Sequence, residues 1–342
     1  MTGTERPQGA ILVLTHEIDP TADFVAHEFN RRNVPFIRLD LGEFPAKLSL
    51  SAAIDAEHDD WSGILKRPRR SVRLGDIRSV WWRRPTSFQF PEHLSREERW
   101  FARDEAAAAL GGLLRLQDAF WMNYPESCMR AEFKPVQLKA ARREGLEIPR
   151  TLISNQVGDV RAFIRDNRAA GRRTIYKTLA YADVINPVTG MNEVIYTSVV
   201  DEEDLDESLV EVTPCLFQAE VEKDIELRAT VVGDQVFTAG IDASASPDGK
   251  IDFRTAYEHI RYEHVELPPD VSARLIRLVR NLGLTFGAID LIRTPDGRHV
   301  FLEINPSGQW AWLESELGLP ISRAICDALE NGHANRLAER YA

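Results

Sequence analysis

Apolar and polar positions along the chain fall into short segments of two periods, close to two and close to 3.6 residues. Ala10-Ile11-Leu12-Val13-Leu14 is a continuous apolar run of strand length, and Asp19 to Arg32 follows with Phe24, Val25, Glu28 and Phe29 at helical spacing. Val34 to Leu39 predicts a second strand, so the chain opens β-α-β, an α/β signal. Val80 to Arg83 predicts a further strand ended by Pro85. Ser95 to Leu116 is the clearest helix: Ser95 with Glu98 three residues on forms a capping-box pattern, and an Ala-rich run follows. Asn123, Tyr124 and Pro125 then break the chain. A second α/β stretch reads as a helix from Phe133 to Glu144, a strand from Pro149 to Ser154, a helix from Asp159 to Asn167 and a strand from Thr174 to Leu179. Turn signals at Asn186-Pro187 and Thr189-Gly190 precede a returning strand, Val194 to Val200, which makes 174–200 a hairpin. The last stretch predicts strands Leu216–Val221, Glu226–Val232 and Gln235–Ile241, the latter two joined by a turn at Asp234. An amphipathic helix Val271–Leu282 and a mostly helical tail Leu319–Leu337 complete it. Ser246-Pro247-Asp248-Gly249 and Thr294-Pro295-Asp296-Gly297 predict tight hairpins. The break at 123–125 and an acidic run at 201–211 divide the chain into 1–123, 124–211 and 212–342.

Composition narrows the class. A length of 342 residues suits two or three domains, and 44% hydrophobic with 28% charged residues is that of a soluble globular protein. No apolar run approaches the ~18–20 residues that span a bilayer, and no charged n-region precedes an apolar h-region, so a cytoplasmic protein without a membrane partner is expected. Cys128, Cys215 and Cys326 lie far apart without a C-x-x-C pair and are expected as buried thiols rather than a zinc or redox site. The eight histidines form no H-E-x-x-H, and His259 and His264 read as loop or surface residues.

A net charge of −11 argues against a nucleic-acid partner. The charge is unevenly spread. Lys66, Arg67, Arg69, Arg70, Arg73, Arg78, Arg83 and Arg84 cluster around Trp81-Trp82, chemistry that suits an anionic partner such as an acidic peptide. Asp201 to Glu211 carries seven carboxylates and no base, and reads as solvated surface. Only seven of the 42 basic residues are Lys, so each Lys marks a place where a compact point charge is of use. Lys134, Lys177 and Lys223 are three of them.

The sharpest local pattern is Ala288-Ile289-Asp290 followed by Glu303-Ile304-Asn305. Asp296-Gly297 is the preferred pair for a two-residue type I′ turn, and counting outward from it places Asp290 opposite Glu303, with Asn305 on the same face. Facing carboxylates repel, and a divalent cation reverses the sign. Hard oxygen ligands suit Mg²⁺ better than zinc. The alternative is that both carboxylates lie on the exposed face of a surface hairpin. No G-x-G-x-x-G follows the first strand and no G-x-x-x-x-G-K-[ST] occurs, so neither a dinucleotide fingerprint nor a P-loop is present. Separated lysines and a carboxylate-held metal can build a nucleotide site instead.

The order of these residues resembles the ATP-grasp superfamily, and within it the graspetide synthetases (microviridin-type ribosomal peptide maturases). The resemblance rests on Lys134 with Gln137, Ile148-Pro149-Arg150-Thr151, Tyr176-Lys177, Gln218 to Arg228, Asp252-Phe253-Arg254, Asp290, and Glu303-Ile304-Asn305-Pro306-Ser307-Gly308-Gln309-Trp310. The Trp81 to Pro85 stretch looks like that branch's N-terminal domain. The resemblance implies an α/β ATP-grasp fold with an N-terminal pre-ATP-grasp domain, a central lid domain and a C-terminal mixed-sheet domain. It implies ATP phosphate contacts from Lys134 and Lys177 and a hinge at Gln218, Ala219, Glu220 and Val221. Glu226 would serve the ribose, with Lys223 nearby. Asp290, Glu303 and Asn305 would hold two Mg²⁺ ions, and Arg228 and Arg254 would grip the γ-phosphate or a substrate carboxylate. The implied partner is a ribosomal precursor peptide with its leader and acidic core, acted on by a homodimer.

Three activities stand open on this reading. The first is an ATP-dependent macrocyclase joining Asp or Glu side chains to Thr or Ser hydroxyls or Lys amines. The second is a ligase adding a free amino acid to a carboxylate. The third is a nucleotide-binding regulatory protein without turnover, against which the retention of all three metal ligands and Arg228 argues.

Overall fold

A computed structural model describes residues 9–56, 60–180, 183–185, 189–243, 245 and 260–332. The chain opens with β1 (Ala10–Thr15), α1 (Pro20–Arg32) and β2 (Phe36–Leu39). The Asp19 carboxylate caps α1 by accepting from the Thr21 and Ala22 amides, and the left-handed Asn33 ends it. A small antiparallel sheet of β3 (Ser49–Ala53), β4 (Ser62–Arg67) and β5 (Arg70–Arg73) precedes β6 (Ile77–Arg84). Then come α2 (Arg96–Arg115), whose Ser95–Glu98 capping box forms as expected, and β7 (Phe120–Met122). β2, β1, β6 and β7 make a parallel sheet in that order.

Two helices, α3 (Pro125–Glu132) and α4 (Lys134–Arg143), lead into the central stretch. This contains β8 (Thr151–Ser154), α5 (Val157–Ala169), β9 (Thr174–Lys177), β10 (Asp183–Ile185), β11 (Asn192–Val194), β12 (Ser198–Val199), α6 (Glu207–Val212) and β13 (Cys215–Ala219). β9 pairs with β12 and β10 with β11, which together form the hairpin expected over 174–200. The sheet order is β12-β9-β13-β8, all antiparallel. Leu152, Tyr176 and Phe217 alternate onto the face that packs on Val160, Phe163 and Ile164 of α5.

The last sheet contains β14 (Ile225–Val232), β15 (Gln235–Asp242), β16 (Arg261–His264), β17 (Phe286–Arg293) and β18 (His299–Asn305), in the antiparallel order β16-β15-β14-β17-β18. Leu227, Ala229, Ile289, Leu291 and Phe301 bury one face against α4 and the amphipathic α7 (Pro269–Asn281). α8 (Ala311–Leu317) and α9 (Ile321–Asn331) return the chain to α1, where Arg32 links Glu28, Asp327 and Glu330. Among the described residues, no helix is long and apolar enough to cross a membrane.

Several expectations need correction. The basic run does not present one surface: Trp81 and Arg83 are buried, Arg84 is half-buried, and Arg67 pairs with Glu43, so only Lys66, Arg69, Arg70 and Arg73 face solvent. Strand alternation turns its second half inward. Cys128 and Cys326 are buried, but Cys215, first residue of β13, is half-buried. The acidic run does lie at the surface, all its carboxylates but Glu202 being exposed, and it pairs with α5 there: Glu202 with Arg161 and Arg165, Glu207 with Arg161, and Asp201 and Glu203 with Arg168. The 296–297 turn is not the two-residue type: Thr294 N donates to Arg298 O at 2.9 Å, leaving a three-residue loop whose Gly297 takes φ +84°. The Ser246 to Gly249 turn, His259 and the helix end beyond 332 lie outside the described residues.

Candidate active site

The last sheet and the central sheet face each other across a cavity of about 240 Å³. On the floor, β14, β17 and β18 bring Arg228, Asp290 and Glu303 into register side by side, and Asn305 follows opposite Ala288. A bulge after Asp290 lets both Leu302 and Glu303 line the cavity. Glu226 and Ile292 lie on the same face as Arg228 and Asp290. The roof comes from the sheet face opposite α5, where Ile175, Lys177 and Gln218 point inward. Ala219, Glu220, Val221 and Lys223 close the side where one sheet passes into the other. A more open cleft of about 1140 Å³ runs along the outside of that same segment.

Charge is closely balanced. Arg228 Nε sits 2.8 Å from Asp290 Oδ1 without an aligned hydrogen bond, leaving this buried donor unsatisfied. Lys134, at the start of α4, pairs with Glu303 across the chain, and Lys223 pairs with Glu226. The two facing carboxylates separate in acidity, as like charges in a shared site do. Burial pushes the Asp290 carboxyl up against the pull of Arg228, while at Glu303 the charges of Lys134, Lys177 and Arg228 overcome burial and hold it down. Glu220 forms a bidentate pair with Arg173 at 2.5 Å, and its backbone amide and that of Ala219 donate to Arg173 O and Arg150 O. Gln218 is buried, with Nε2 on Thr151 Oγ1 at 3.0 Å.

The donor set fits a hard divalent cation. Two opposed carboxylates and an amide oxygen share one wall, and all are oxygen ligands. Asn305 is needed as the third: among the described residues no three His, Cys, Asp or Glu side chains gather to hold a metal. Asn305 Oδ1 also accepts from Ser307 N at 2.9 Å, which fixes its amide plane.

The cavity collects Lys177, Gln218, Ala219, Glu220, Val221, Glu226, Arg228, Asp290, Glu303 and Asn305, and Lys134 reaches it through Glu303. Arg254, with Asp252 and Phe253, lies outside the described residues. Other residues hold the wall; the sequence marked Gln137 through the resemblance, and Arg83 and Arg84 through the resemblance and the basic run, none with this role, and Asn123 not at all as part of a site. Gln137 clamps Ile304 between Glu303 and Asn305, its Nε2 donating to Ile304 O and its Oε1 accepting from Ile304 N. Asn123, read only as a chain break, donates to Phe286 O and Pro306 O and accepts from Thr285 N and Phe286 N. Arg83 and Arg84 both donate to Ser307 O, and Arg83 to Gln309 Oε1 at 2.8 Å.

Comparison with known proteins places the chain among ATP-grasp proteins. Residues 10–128 match the MvdD pre-ATP grasp domain, and residues 130–329 match the RimK-like ATP-grasp domain. No curated protein matches the sequence. A RiPP-associated ATP-grasp ligase of Chryseobacterium gregarium, solved with ADP and a leader and core peptide, is 29% identical over 96% of this chain and 99% of its own, with a TM-score of 0.87. Macrocyclase MdnC of Microcystis aeruginosa MRC, bound with precursor peptide MdnA, is 28% identical over 94% of this chain and 100% of its own, with a TM-score of 0.81. Macrocyclase MdnB of the same organism is 32% identical over 95% of this chain and 100% of its own, with a TM-score of 0.77. With the Arg228–Asp290–Glu303 wall facing Lys177 of β9 and both family models matched, the chain belongs to the RimK-like ATP-grasp family and carries an MvdD-type pre-ATP-grasp domain.

Proposed function

We propose that the protein is an ATP-dependent macrocyclase that activates Asp or Glu side chains of a ribosomal precursor peptide and joins them to Thr or Ser hydroxyls, as esters, or to Lys amines, as amides. The carrying observation is the single cavity in which two facing carboxylates, Asn305, Arg228 and Lys177 meet the 218–221 hinge. The precursor peptide held by MdnC and the ADP and peptide held by the Chryseobacterium ligase support the same chemistry here.

In this reading Lys134 and Lys177 contact ATP phosphates. Ile175, Ile292 and Leu302 sandwich the purine against the Gln218–Val221 hinge. Since the Ala219 and Glu220 amides already serve the backbone, the base edge is read by the Glu220 carbonyl and the Val221 amide. Glu226 takes the ribose. Asp290, Glu303 and Asn305 would hold the Mg²⁺ ions. The metal supplies charge neutralisation at the phosphates. Arg228, joined by Arg254, grips the transferring phosphoryl group or the substrate carboxylate. A carboxylate oxygen of the peptide attacks the γ-phosphorus, the bond to the β-phosphate oxygen breaks, and ADP leaves an acyl phosphate. The hydroxyl or amine then attacks the acyl carbon and phosphate departs with the lost proton, so each ring costs the peptide one water. The protein's part is positioning and charge stabilisation.

The division 1–123, 124–211 and 212–342 belongs to the same proposal, with the third part lending β13 to the lid sheet. So do a cytoplasmic setting, a homodimer, and the exposed Lys66, Arg69, Arg70 and Arg73 as a surface for an acidic segment of the peptide.

The test is mass spectrometry of a Thr- and Glu-rich precursor incubated with the protein, ATP and Mg²⁺. The expected product has lost one water per ring, and Glu303→Gln lowers its formation by roughly 100-fold or more without lowering the melting temperature. A free amino acid appended to a carboxylate instead would make the protein an ordinary ligase. ATP binding with no turnover on any acceptor would make it a regulator.

A further inference from the structure

The central sheet has an open edge. β8 ends the order β12-β9-β13-β8, so only one of its sides is paired. The Ala219 amide donates to Arg150 O at 2.9 Å, and the register continues through Gln218↔Thr151, Phe217↔Leu152 and Leu216↔Ile153. Hydrogen-bonded and non-hydrogen-bonded pairs alternate along an antiparallel ladder. Thr151 and Ile153 therefore turn their N–H and C=O groups away from β13, and among the described residues nothing hydrogen-bonds to them there. Charges, prolines and bulges are usual guards of such an edge, and Thr151-Leu152-Ile153-Ser154 has none. Ile153 is 37% exposed.

A groove of about 630 Å³ borders this edge, with Leu138, Lys139, Arg142 and Arg143 of α4 on one side and Thr151 and Ile153 on the other. Leu152 packs on α5, so Thr151 and Ile153 point to the opposite face, toward the α4 side chains. Lys139, Arg142 and Arg143 are exposed and share one helix face, spaced i, i+3 and i+4. The arginines of α5 each hold a carboxylate, but among the described residues these three α4 cations hold none. A place in the last turn suits Arg142 and Arg143 to the helix dipole, which accounts for their charge but not for the open strand beside them. Pro135 and Ile148 also line the groove, and their chain neighbours Lys134 and Pro149 reach the candidate site.

We propose that an extended acidic segment of the precursor peptide docks in this groove as an added strand on β8. Its backbone completes the ladder on Thr151 and Ile153, the mode by which open sheet edges take peptides. Side chains directly opposite Thr151 and Ile153 share their face, so carboxylates at alternate positions of the segment meet Lys139, Arg142 and Arg143. The backbone contacts serve any extended peptide, and the cations select an acidic one. This contact is separate from Lys66, Arg69, Arg70 and Arg73, which belong to the β4–β5 hairpin of the N-terminal part. A segment held here runs past Pro135 and Ile148, one chain position from residues of the candidate site, and so tethers the peptide beside it.

The inference rests on the precursor-peptide reading, and binding measured apart from ring closure separates the two. A fluorescein-labelled Thr- and Glu-rich precursor is titrated with the full chain and its anisotropy followed. Arg142→Glu combined with Arg143→Glu raises the dissociation constant by roughly tenfold or more, while affinity for Mg²⁺·ADP and the melting temperature hold. Ile153→Pro removes one outward N–H and leaves the β13 ladder intact, a place where an edge strand accepts proline. It weakens the same binding by roughly threefold or more. Ile153→Val keeps the N–H and leaves the affinity unchanged. A precursor affinity that either the charge reversal or the proline leaves unchanged overturns the added strand, as does a wild type that binds no precursor. A wild type that binds the precursor, loses it in both variants and closes no ring overturns the macrocyclase and leaves this groove in place.

Discussion

Glu28 illustrates how much a single residue can carry at a joint. Its carboxylate accepts from Arg31 Nε and Nη2 at 2.7 Å and from Arg32 Nε at 2.6 Å, which holds its pKa down to about 2. The folded pKa lies below the unfolded value, so the ionised group contributes stability that is complete above about pH 4.5 and is lost as pH falls toward 2. Glu28→Gln should lower the urea midpoint at neutral pH by an amount worth about 1 kcal/mol, because the Arg31 partner is 60% exposed and screened. The gap to wild type should close as the pH is lowered through that window, and a gap independent of pH would remove the ion pair from the account. The signal in the sequence for Glu28 was only its place on a helical face. Its partners Arg31 and Arg32 were adjacent in sequence, but Asp327 and Glu330, which complete the cluster on Arg32, were not.

At the scale of elements, the β17–β18 hairpin is instructive because its expected register was reached by a different path. A two-residue turn at 296–297 would place Asp290 opposite Glu303 with no irregularity between them. The hairpin instead has a three-residue loop, which shifts the pairs from Arg293↔His299 to Leu291↔Phe301 by one. The bulge after Asp290 shifts them back, so Asp290↔Glu303 pair as counted. The compensation also turns Leu302 into the cavity, which a regular strand would not do. Gly297, at φ +84°, is what the loop requires, and its Cβ position is open. Gly297→Ala should therefore destabilise the protein by about 1 kcal/mol through backbone strain alone, with affinity for Mg²⁺·ADP unchanged in a calorimetric titration. A loss of affinity would mean the loop, and not the bulge, sets the site. The acidic run makes a similar point. Read alone it is solvated surface, but opposite Arg161, Arg165 and Arg168 it ties the 201–207 segment to α5.

Over the whole molecule, the Arg228–Asp290–Glu303 wall is held from outside its own sheet. Asn123 saturates its amide on Thr285, Phe286 and Pro306. Arg83 reaches Ser307 and Gln309, and the buried Asp19, 3.5 Å from its Nε, is its counter-charge. Burial alone would raise the Asp19 carboxyl, but Arg83, Thr15 and the Ala22 amide hold it below its usual range. Asp19→Asn leaves Arg83 buried without a partner charge and should cost roughly 3 kcal/mol in a denaturant titration. A cost below about 1 kcal/mol would show that the Ser307 and Gln309 contacts suffice. These contacts join the N-terminal sheet to the loop after Asn305, so the N-terminal sheet is part of the scaffold of the candidate site.

β3, β4, β5, β7, α3, α6, β16 and α8 had no reading in the sequence, and the loop and bulge that together pair Asp290 with Glu303 were not foreseen. The sequence by itself determined most of the other elements, the β-α-β opening and the capping box of α2. These depend on local periodicity and caps, both of which act over a few residues. It also marked Lys134, Lys177 and the 218–221 segment, through resemblance and the scarcity of lysine. Tertiary structure alone decided which cations answer which carboxylates, because Lys134 and Glu303 meet only when α4 docks on β18. It decided that Arg83 points inward while Arg69 and Arg70 do not, since burial of a charge depends on what packs above it. It also decided that Asn123 and Gln137 are clamps: an amide's role depends on which backbone groups come within 3 Å of it, and those come from more than 150 residues away.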